Sequence, residues 1–168
     1  CARSGARGVQ AAVGCAVRWF APGVPAPKGS ARAVMSHGKP RLLASGSTAN
    51  KHALKSWAAS VGWTAKVAMV RPLDGPVRVL CEFVFARPKS HTRAERAVTS
   101  KITKPDADKL LRSTLDAMTG LAYVDDAQVA DMRAVKRWAA EGEACGAWIT
   151  VEAIQQERPA TPGEEQGQ

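Results

Sequence analysis

Two carboxylates stand two residues apart in the segment Lys104-Pro105-Asp106-Ala107-Asp108, directly before a leucine-rich stretch with helical spacing. Backbone N–H groups at the amino end of a helix favour negative charge, so Asp106 can cap this helix while Asp108 begins its exposed face. At a separation of 4 Å the two carboxylates repel each other by about 1 kcal/mol in water and about 4 kcal/mol at an effective dielectric constant of 20. A bound divalent cation turns that repulsion into attraction, so the pair indicates a metal site.

A second acidic pair, Asp125-Asp126, follows the turn at Gly120 and comes directly before a predicted strand. Adjacent residues entering a strand point to opposite faces, so either member of the pair, but not easily both, can face the site. If this strand lies beside the helix, three carboxylates meet and offer the hard oxygen ligands that Mg²⁺ prefers; zinc would instead favour histidine or thiolate. The competing interpretation is capping and dipole complementation alone, which suits Asp116 on the polar flank of the helix.

Charge is divided unevenly along the 168 residues, whose formal net charge is +9. Residues 1–104 hold 18 basic and three acidic side chains, a net charge of +15, whereas residues 105–168 hold 6 basic and 12 acidic ones, a net charge of −6. A basic body indicates a polyanionic partner, because each neutralised phosphate releases counterions; a basic surface kept for solubility is the alternative.

No stretch approaches the roughly 20 apolar residues of a membrane span. The four scattered cysteines form no C-x-x-C pair, which favours reduced thiols in the cytosol.

The order of elements predicts an α+β fold: a single domain with one mixed sheet and two main helices packed on it. Strands are predicted at Cys15–Phe20, Ala31–Ser36, Pro40–Ala44, Val77–Phe85, Val129–Trp138 and Ala147–Val151, and helices at 49–70 and Asp106–Met118. His37-Gly38 is a plausible hairpin turn, and Val77–Phe85, apolar on both faces, is expected to be central. We expect residues 1–12 to be a disordered lead-in, residues 13–154 the folded domain and residues 155–168 a disordered acidic tail.

Residues 88–103 are polar and basic and show neither a helical nor a strand period, so they are expected to form a functional or disordered loop. The cations of this loop, together with those near the acidic pair, are expected to grip the phosphate backbone: Lys89, Arg93, Arg96, Lys101, Lys104 and Lys109. His91 is expected to be an ordinary surface histidine, and a contact with phosphate is the alternative. Four tryptophans are expected to pack in the core or on a sheet face: Trp57, Trp63, Trp138 and Trp148.

Taken together, these motifs resemble the RusA family of Holliday junction resolvases. The resemblance rests on Lys-Pro-Asp-x-Asp at 104–108, the helix ending in Leu115–Gly120, Asp-Asp-Ala-Gln-Val at 125–129 and Lys136-Arg137, and covers roughly residues 17–152. The Pro-rich segment Gly23–Ser30 and Arg87–His91 add weaker matches. The resemblance implies a homodimer that nicks two opposed strands of a four-way junction with Mg²⁺, or Mn²⁺ as a substitute. It also implies a role in DNA recombination and repair, in the cytoplasm, for a bacterial or phage-encoded protein.

The same resemblance assigns metal-ligand roles to Asp106, Asp108 and Asp126, and so chooses Asp126 from the second pair. The family pattern often has Asn directly after the second aspartate and a catalytic Lys four residues after it, where this chain has Lys109 and Arg112. Arg112 lies one helical turn from Asp108 and can hold the scissile phosphate, but a guanidinium stays protonated and so cannot serve as a proton donor. The expected chemistry is metal-assisted hydrolysis of a phosphodiester that leaves a 5′-phosphate and a 3′-hydroxyl.

Three other functions stay open at this point. The chain could be a non-catalytic junction- or duplex-binding protein in which the aspartates only cap a helix. It could be a nuclease that prefers flaps or forks. It could also be another Mg²⁺ enzyme, such as a glycosyltransferase or a phosphatase, although these usually place Asp-x-Asp at the end of a parallel strand in a larger fold. The metal-site hypothesis requires Asp126 to lie close to Asp106 and Asp108.

Overall fold

The computed structural model describes residues 16–29, 31–36, 38–44 and 48–155. Three parts of the sequence predictions lie outside these residues. They are the lead-in at 1–12, all but the first residue of the tail, and His37 of the hairpin turn. The elements in chain order are β1 (Val17–Pro22), β2 (Ala31–Ser36), β3 (Lys39–Ala44), α1 (Thr48–Ala68), β4 (Val77–Phe85), α2 (Arg93–Ala97), α3 (Ala107–Met118), a 3₁₀ turn (Asp126–Gln128), β5 (Val129–Trp138) and β6 (Gly146–Ala153).

Four strands form one mixed sheet in the order β1-β6-β4-β5. β4 runs parallel to β5 and antiparallel to β6, and β1 runs antiparallel to β6. β2 and β3 pair with each other as a separate antiparallel hairpin, with Gly38 at a φ of 72° in the connecting turn. The predicted α+β class and mixed sheet are therefore confirmed, and so is the central position of β4.

The hydrophobic core lies between one face of the sheet and the helices α1 and α3. Alternate residues of β4 are buried against the helices, as the period of two in a strand requires: Val77, Val79, Cys81, Phe83 and Phe85. From the helical side α1 contributes Trp57, Val61 and Ala65. Trp57 Nε1 donates a hydrogen bond to Thr114 Oγ1 at 3.2 Å, which ties α1 to α3 inside the core. In the part of the chain that is described, none of the helices is long and apolar enough to cross a membrane.

Three local predictions differ from the structure. β1 runs from Val17 to Pro22 rather than ending at Phe20, because all six of its residues pair with β6. The expected loop 88–103 contains the short helix α2, so that prediction was wrong for five residues. Trp63 was expected to pack, but it is 70% exposed, because the buried stripe of α1 follows Trp57 and Val61 and leaves residue 63 on the opposite side.

Gly146 is the position where the sheet leaves no space for a side chain. It pairs with Pro22 of β1 and Val84 of β4, and a Cβ placed on it would come closer than 3.0 Å to the Ala21 carbonyl oxygen and the Phe20 ring. Overpacking of this kind costs about 1–3 kcal/mol. We expect Gly146→Ala to lower the free energy of unfolding by about 2 kcal/mol, measured by urea denaturation followed by circular dichroism.

Gly62 in α1 provides the matched control. A Cβ at Gly62 would meet the Ala117 carbonyl oxygen and Leu121 Cδ1 at 3.5 Å, an ordinary contact distance. Because alanine favours a helix over glycine by about 0.5–1 kcal/mol, Gly62→Ala is expected to leave the stability unchanged or raise it slightly. A similar loss of stability in both variants would contradict the proposed crowding at Gly146.

Candidate active site

Asp106 occupies the N-cap position of α3, yet its side chain makes no capping hydrogen bond. Its Oδ2 atom instead lies 2.9 Å from Lys109 Nζ, and about half of the side chain is exposed. The hydrogen bond and charge of Lys109, with smaller contributions from Lys104 and Lys136, hold the pKa of Asp106 below its ordinary value. Asp106 is therefore an ionised, solvent-facing carboxylate, and the capping interpretation does not describe its side chain.

Asp108 lies one residue into α3 and is exposed. Its charge, together with the stronger contact from Asp106, raises the pKa of Lys109. Lys109 pairs with Asp106 and so offsets part of the repulsion between the two carboxylates. Arg112, one turn further along α3, is also exposed.

Lys136 of β5 holds the chain segment that leads into α3. Its Nζ atom donates to the carbonyl oxygens of Thr103 at 2.9 Å and Pro105 at 2.7 Å, and the Lys104–Pro105 peptide bond is cis. Through these two hydrogen bonds the edge strand β5 positions Asp106, the next residue along the chain.

Lys101 is buried rather than available to phosphate. Its Nζ atom donates to the carbonyls of Thr103 and Lys104 and to Thr103 Oγ1, and it lies 5.1 Å from the ring centroid of Phe85 and 4.7 Å from that of Trp138. Burial, together with the nearby charge of Lys136, lowers its pKa. The expectation that Lys101 grips the DNA backbone is wrong, because its ammonium group already holds the 103–104 turn from inside.

A cleft of about 580 Å³ opens beside Asp106. Its walls come from the Pro-rich segment, the start of α1, the end of β4 and the amino end of α3: Val24, Pro25, Ala26, Pro27, Asn50, Ala53, Phe85, Lys101, Lys104, Pro105, Asp106 and Lys109. Ser113 Oγ donates to the Ala26 carbonyl at 2.7 Å, which fastens the Pro-rich segment to α3. Lys28, at the end of this segment, forms an ion pair with Asp116. Asp116 therefore has a structural role, as its position on the polar flank of α3 indicated.

Asp125 and Asp126 have different roles. Asp125 Oδ1 accepts from the Ala127 N–H at 2.8 Å, and the Asp125 N–H donates to Gln128 Oε1 at 2.8 Å, so Asp125 caps the 3₁₀ turn. Gln128 Nε2 in turn donates to the Gly75 carbonyl at 2.8 Å and holds this turn against the start of β4. Asp126 is exposed, and among the described residues its carboxylate has neither a hydrogen bond nor an ion pair.

Helix α3 separates Asp126 from the other two aspartates. Asp106 and Asp108 lie at its amino end, beside Lys136 near the end of β5, whereas Asp126 follows its carboxyl end and precedes the start of β5. The 12 residues of α3 span roughly 18 Å, and the rise from Val129 to Lys136 is roughly 23 Å. No group of three or more His, Cys, Asp or Glu side chains placed to hold a metal occurs within the described ranges. The expectation that the three carboxylates meet within one chain is therefore wrong, because α3 and β5 run in opposite directions between them.

Three of the remaining predicted cations lie around α2, and Lys104 lies at the cleft beside Asp106. All four are exposed: Lys89, Arg93, Arg96 and Lys104. Arg87 has a structural role. Its guanidinium donates to the carbonyls of Glu95 at 3.0 Å and Val98 at 3.1 Å, which holds α2 in place. His91 packs edge-on against Trp138 at 5.0 Å between ring centroids, so it is part of the support for this segment rather than a free surface residue.

Residues 22–152 match the family model described as Endodeoxyribonuclease RusA. The chain belongs to this family. It is also 32% identical over 76 residues to the uncharacterized protein YqaN of Bacillus subtilis (strain 168), a match that covers 41% of this chain and 54% of the relative. The chain thus spans about half the length of the curated relative that it matches. The resemblance seen in the acidic motifs is confirmed as membership of the RusA family over most of the chain.

Sequence reasoning missed one structural residue and one short helix of this RusA-family site. Lys136 was part of the motif that carried the resemblance, but nothing in its local spacing shows that it reaches back to residues 103–105. The helix α2 did have a sequence signal, since Thr92-x-x-Glu95 is a capping box, and both of its reciprocal hydrogen bonds are present.

The two members of the second acidic pair are expected to respond differently to substitution. Asp125→Ala removes the cap of the 3₁₀ turn and is expected to lower the free energy of unfolding by about 1 kcal/mol. Asp126→Ala removes no hydrogen bond or ion pair among the described residues and is expected to change the free energy of unfolding by less than about 0.5 kcal/mol. Urea denaturation of both variants measures this difference. A loss for Asp126→Ala as large as that for Asp125→Ala would show that Asp126 has a structural role.

Proposed function

We propose that this RusA-family chain is a Mg²⁺-dependent endonuclease that resolves four-way DNA junctions, nicking two opposed strands as a homodimer in recombination and repair. The observation that carries the proposal is Asp106, which stands at the start of a helix but remains an exposed, ionised carboxylate without a capping bond. Membership of the RusA family over residues 22–152 supports the same chemistry.

Asp106, Asp108 and Asp126 are the residues that would hold the metal. Their carboxylate oxygens are of the ligand type that Mg²⁺ prefers, Mn²⁺ can take the same ligands, and all three side chains are exposed. When bound, the cation supplies a water of lowered pKa and a positive charge beside the phosphodiester. Within one chain Asp126 lies apart from the other two, so the full set of ligands is not completed by a single subunit.

Basic side chains of this chain are proposed to bind the phosphate groups of the DNA. An acidic site repels a polyanion, so basic groups next to it are required, and Lys104 and Lys109 line the cleft that Asp106 borders. Arg112 presents a planar guanidinium one turn from Asp108 and is proposed to hold the scissile phosphate. The exposed side chains around α2 extend this basic surface along the DNA backbone: Lys89, Arg93 and Arg96.

A homodimer fits the substrate. A four-way junction has approximate two-fold symmetry, and an isologous dimer presents two sites that are related by the same symmetry operation. Two sites related in this way would nick opposed strands at equivalent positions, which gives a symmetric product.

Conservative substitution of the proposed ligands is expected to abolish cleavage and spare binding. Asp106→Asn, Asp108→Asn and Asp126→Asn should each lower the rate of junction cleavage by roughly 100-fold or more, because even the outer partners of metal ligands contribute 10–100-fold. Junction affinity measured by gel shift without Mg²⁺ should stay the same or increase, since a negative charge facing DNA has been removed. Cleavage is measured on a labelled four-way junction mapped at nucleotide resolution.

Asp116→Asn and Asp125→Asn are the matched controls, because these carboxylates pair with Lys28 and cap the 3₁₀ turn respectively. Both controls should still cleave. A junction left intact by excess wild-type protein with Mg²⁺ would favour the non-catalytic binding protein instead. Faster cleavage of a flap or fork substrate run alongside would favour the other nuclease specificity.

The basic surface around α2 predicts a change in salt dependence. Lys89→Ala and Arg93→Ala should each reduce the slope of log K against log salt concentration by about 1, because each removes one phosphate contact. Lys66→Ala, an exposed lysine on α1, should leave the slope unchanged. Affinities measured by fluorescence anisotropy from low to moderate salt give the slopes. Equal slopes for all three variants would place the DNA on another surface.

A further inference from the structure

Three large apolar side chains are exposed around the carboxyl end of α1. Trp63 is 70% exposed, Val67 71%, and Val70, just beyond the helix, is fully exposed. Trp63 and Val67 stand four residues apart, so they are neighbours on the same side of the helix. Single exposed apolar residues are common on protein surfaces, whereas a group of large ones is typical of a surface that contacts another molecule.

A groove of about 200 Å³ lies between this side of α1 and the edge strand β1. We call it the α1 groove, and its walls come from two residues of β1 and four of α1: Trp19, Phe20, Trp63, Thr64, Val67 and Ala68. One large apolar side chain fills a space of this volume. A DNA duplex is far too wide to enter it, so the groove suits a side chain of another protein.

Trp19, in the wall of the α1 groove, carries a polar group without a partner. The side chain is 8% exposed, and its Nε1 atom is buried and has no hydrogen-bond acceptor among the described residues. An indole N–H can only donate, and buried polar groups in native proteins are almost always paired. The missing partner is an acceptor such as a carbonyl or carboxylate oxygen, which a ligand seated in the groove would supply.

The surface next to the α1 groove is basic. Lys66 lies one turn of α1 from Trp63, Arg71 directly follows Val70, and both cations are exposed. Residues 48–73 contain no aspartate or glutamate, so this stretch of the chain has no acidic side chain of its own to oppose them. Because complementary charge steers partners together and fixes their register, a ligand for this surface carries acidic groups beside its apolar anchor.

We propose that the α1 groove docks an acidic segment of a partner protein, with one apolar side chain in the groove and carboxylates against Lys66 and Arg71. The docking surface is separate from the nuclease site. Ala53 lines the cleft beside Asp106, and the rise along α1 from Ala53 to Trp63 is roughly 15 Å. A partner held at the groove therefore leaves the cleft open to DNA, so that recruitment and cleavage take place on different surfaces of one chain.

A protein segment fits these features better than a membrane does. Anionic lipid surfaces are typically recognised by clusters of four to eight cations. Within the described part of the chain, Lys66 and Arg71 are the exposed cations that flank the apolar group, and a closed-sided groove is of no use to a flat bilayer. The unpaired Trp19 N–H also requires a single, fixed acceptor rather than a fluid surface.

The docking surface is tested with a peptide probe. The probe is a fluorescein-labelled Gly-Ser-Asp-Asp-Asp-Leu-Phe peptide, titrated with the full chain and followed by fluorescence anisotropy at low salt. Trp63→Ala and Lys66→Glu should each weaken binding about tenfold or more, because they remove the apolar wall and reverse the charge beside it. Lys55→Glu, the same charge reversal at an exposed lysine of α1 away from the groove, should leave the affinity unchanged.

The Trp19 N–H is tested separately from the shape of the groove. Trp19→Phe keeps an aromatic ring and removes the donor, so it should weaken binding of the acidic peptide roughly tenfold. A peptide with Lys in place of each Asp, and one with Ser in place of Leu and Phe, should both bind more weakly than the probe. Circular dichroism confirms that each variant is folded. Equal affinity of the probe for the wild type and for folded Trp63→Ala and Lys66→Glu variants would overturn the proposal.

Two further measurements identify a different occupant. Binding to phosphatidylglycerol vesicles without binding to the peptide would make the surface a membrane contact, and loss of self-association in Trp63→Ala by ultracentrifugation would make it a contact between copies; either result overturns the proposal. Junction cleavage by Trp63→Ala and Lys66→Glu should equal that of the wild type. Peptide binding is measured without DNA or metal, so it decides the docking proposal even if the proposed nuclease function fails.

Discussion

The position of helix α3 is the constraint on which the rest of this molecule depends. It is fixed from inside by the hydrogen bond between Trp57 and Thr114 and by the burial of Leu110 and Met118 against the sheet. Because α3 runs opposite to β5, its amino end meets the end of that strand, where Lys136 holds the Pro105 carbonyl. The same geometry sends Asp126 to the far end of the helix. One packing interaction therefore decides both where the acidic pair sits and which aspartate it cannot reach.

The lysines near α3 divide into two groups with different roles. Lys101 and Lys136 direct their ammonium groups at backbone carbonyls of residues 103–105, and so build the turn that presents Asp106. Lys104 and Lys109 lie at the cleft and lower the pKa of Asp106, with Lys109 in direct contact. Lys101 and Lys136 give the turn its shape, and Lys104 and Lys109 balance the charge of the carboxylate. A count of basic residues in the sequence cannot separate these groups, because the difference lies in which atoms each ammonium group contacts.

The elements themselves followed from local patterns. The alternation in Val77–Phe85 and the helical stripe through Trp57 and Val61 are periodicities that a single sequence displays, and both were interpreted correctly. The helix α2 was missed because five residues are too short to show a period, although its capping box was visible at Thr92 and Glu95. The role of Asp125 as a cap was equally local, since its partners Ala127 and Gln128 are two and three residues away.

Whether the three aspartates converge on one site could not be predicted from such local patterns. Residues 119–125 connect α3 to the 3₁₀ turn, and seven extended residues could span roughly 23 Å, enough to return along the whole helix. The chain does not do this, because the Gly120 N–H donates to the Tyr123 carbonyl at 2.8 Å and closes the connection into a tight turn. Spacing in sequence allowed convergence, and one turn hydrogen bond prevents it.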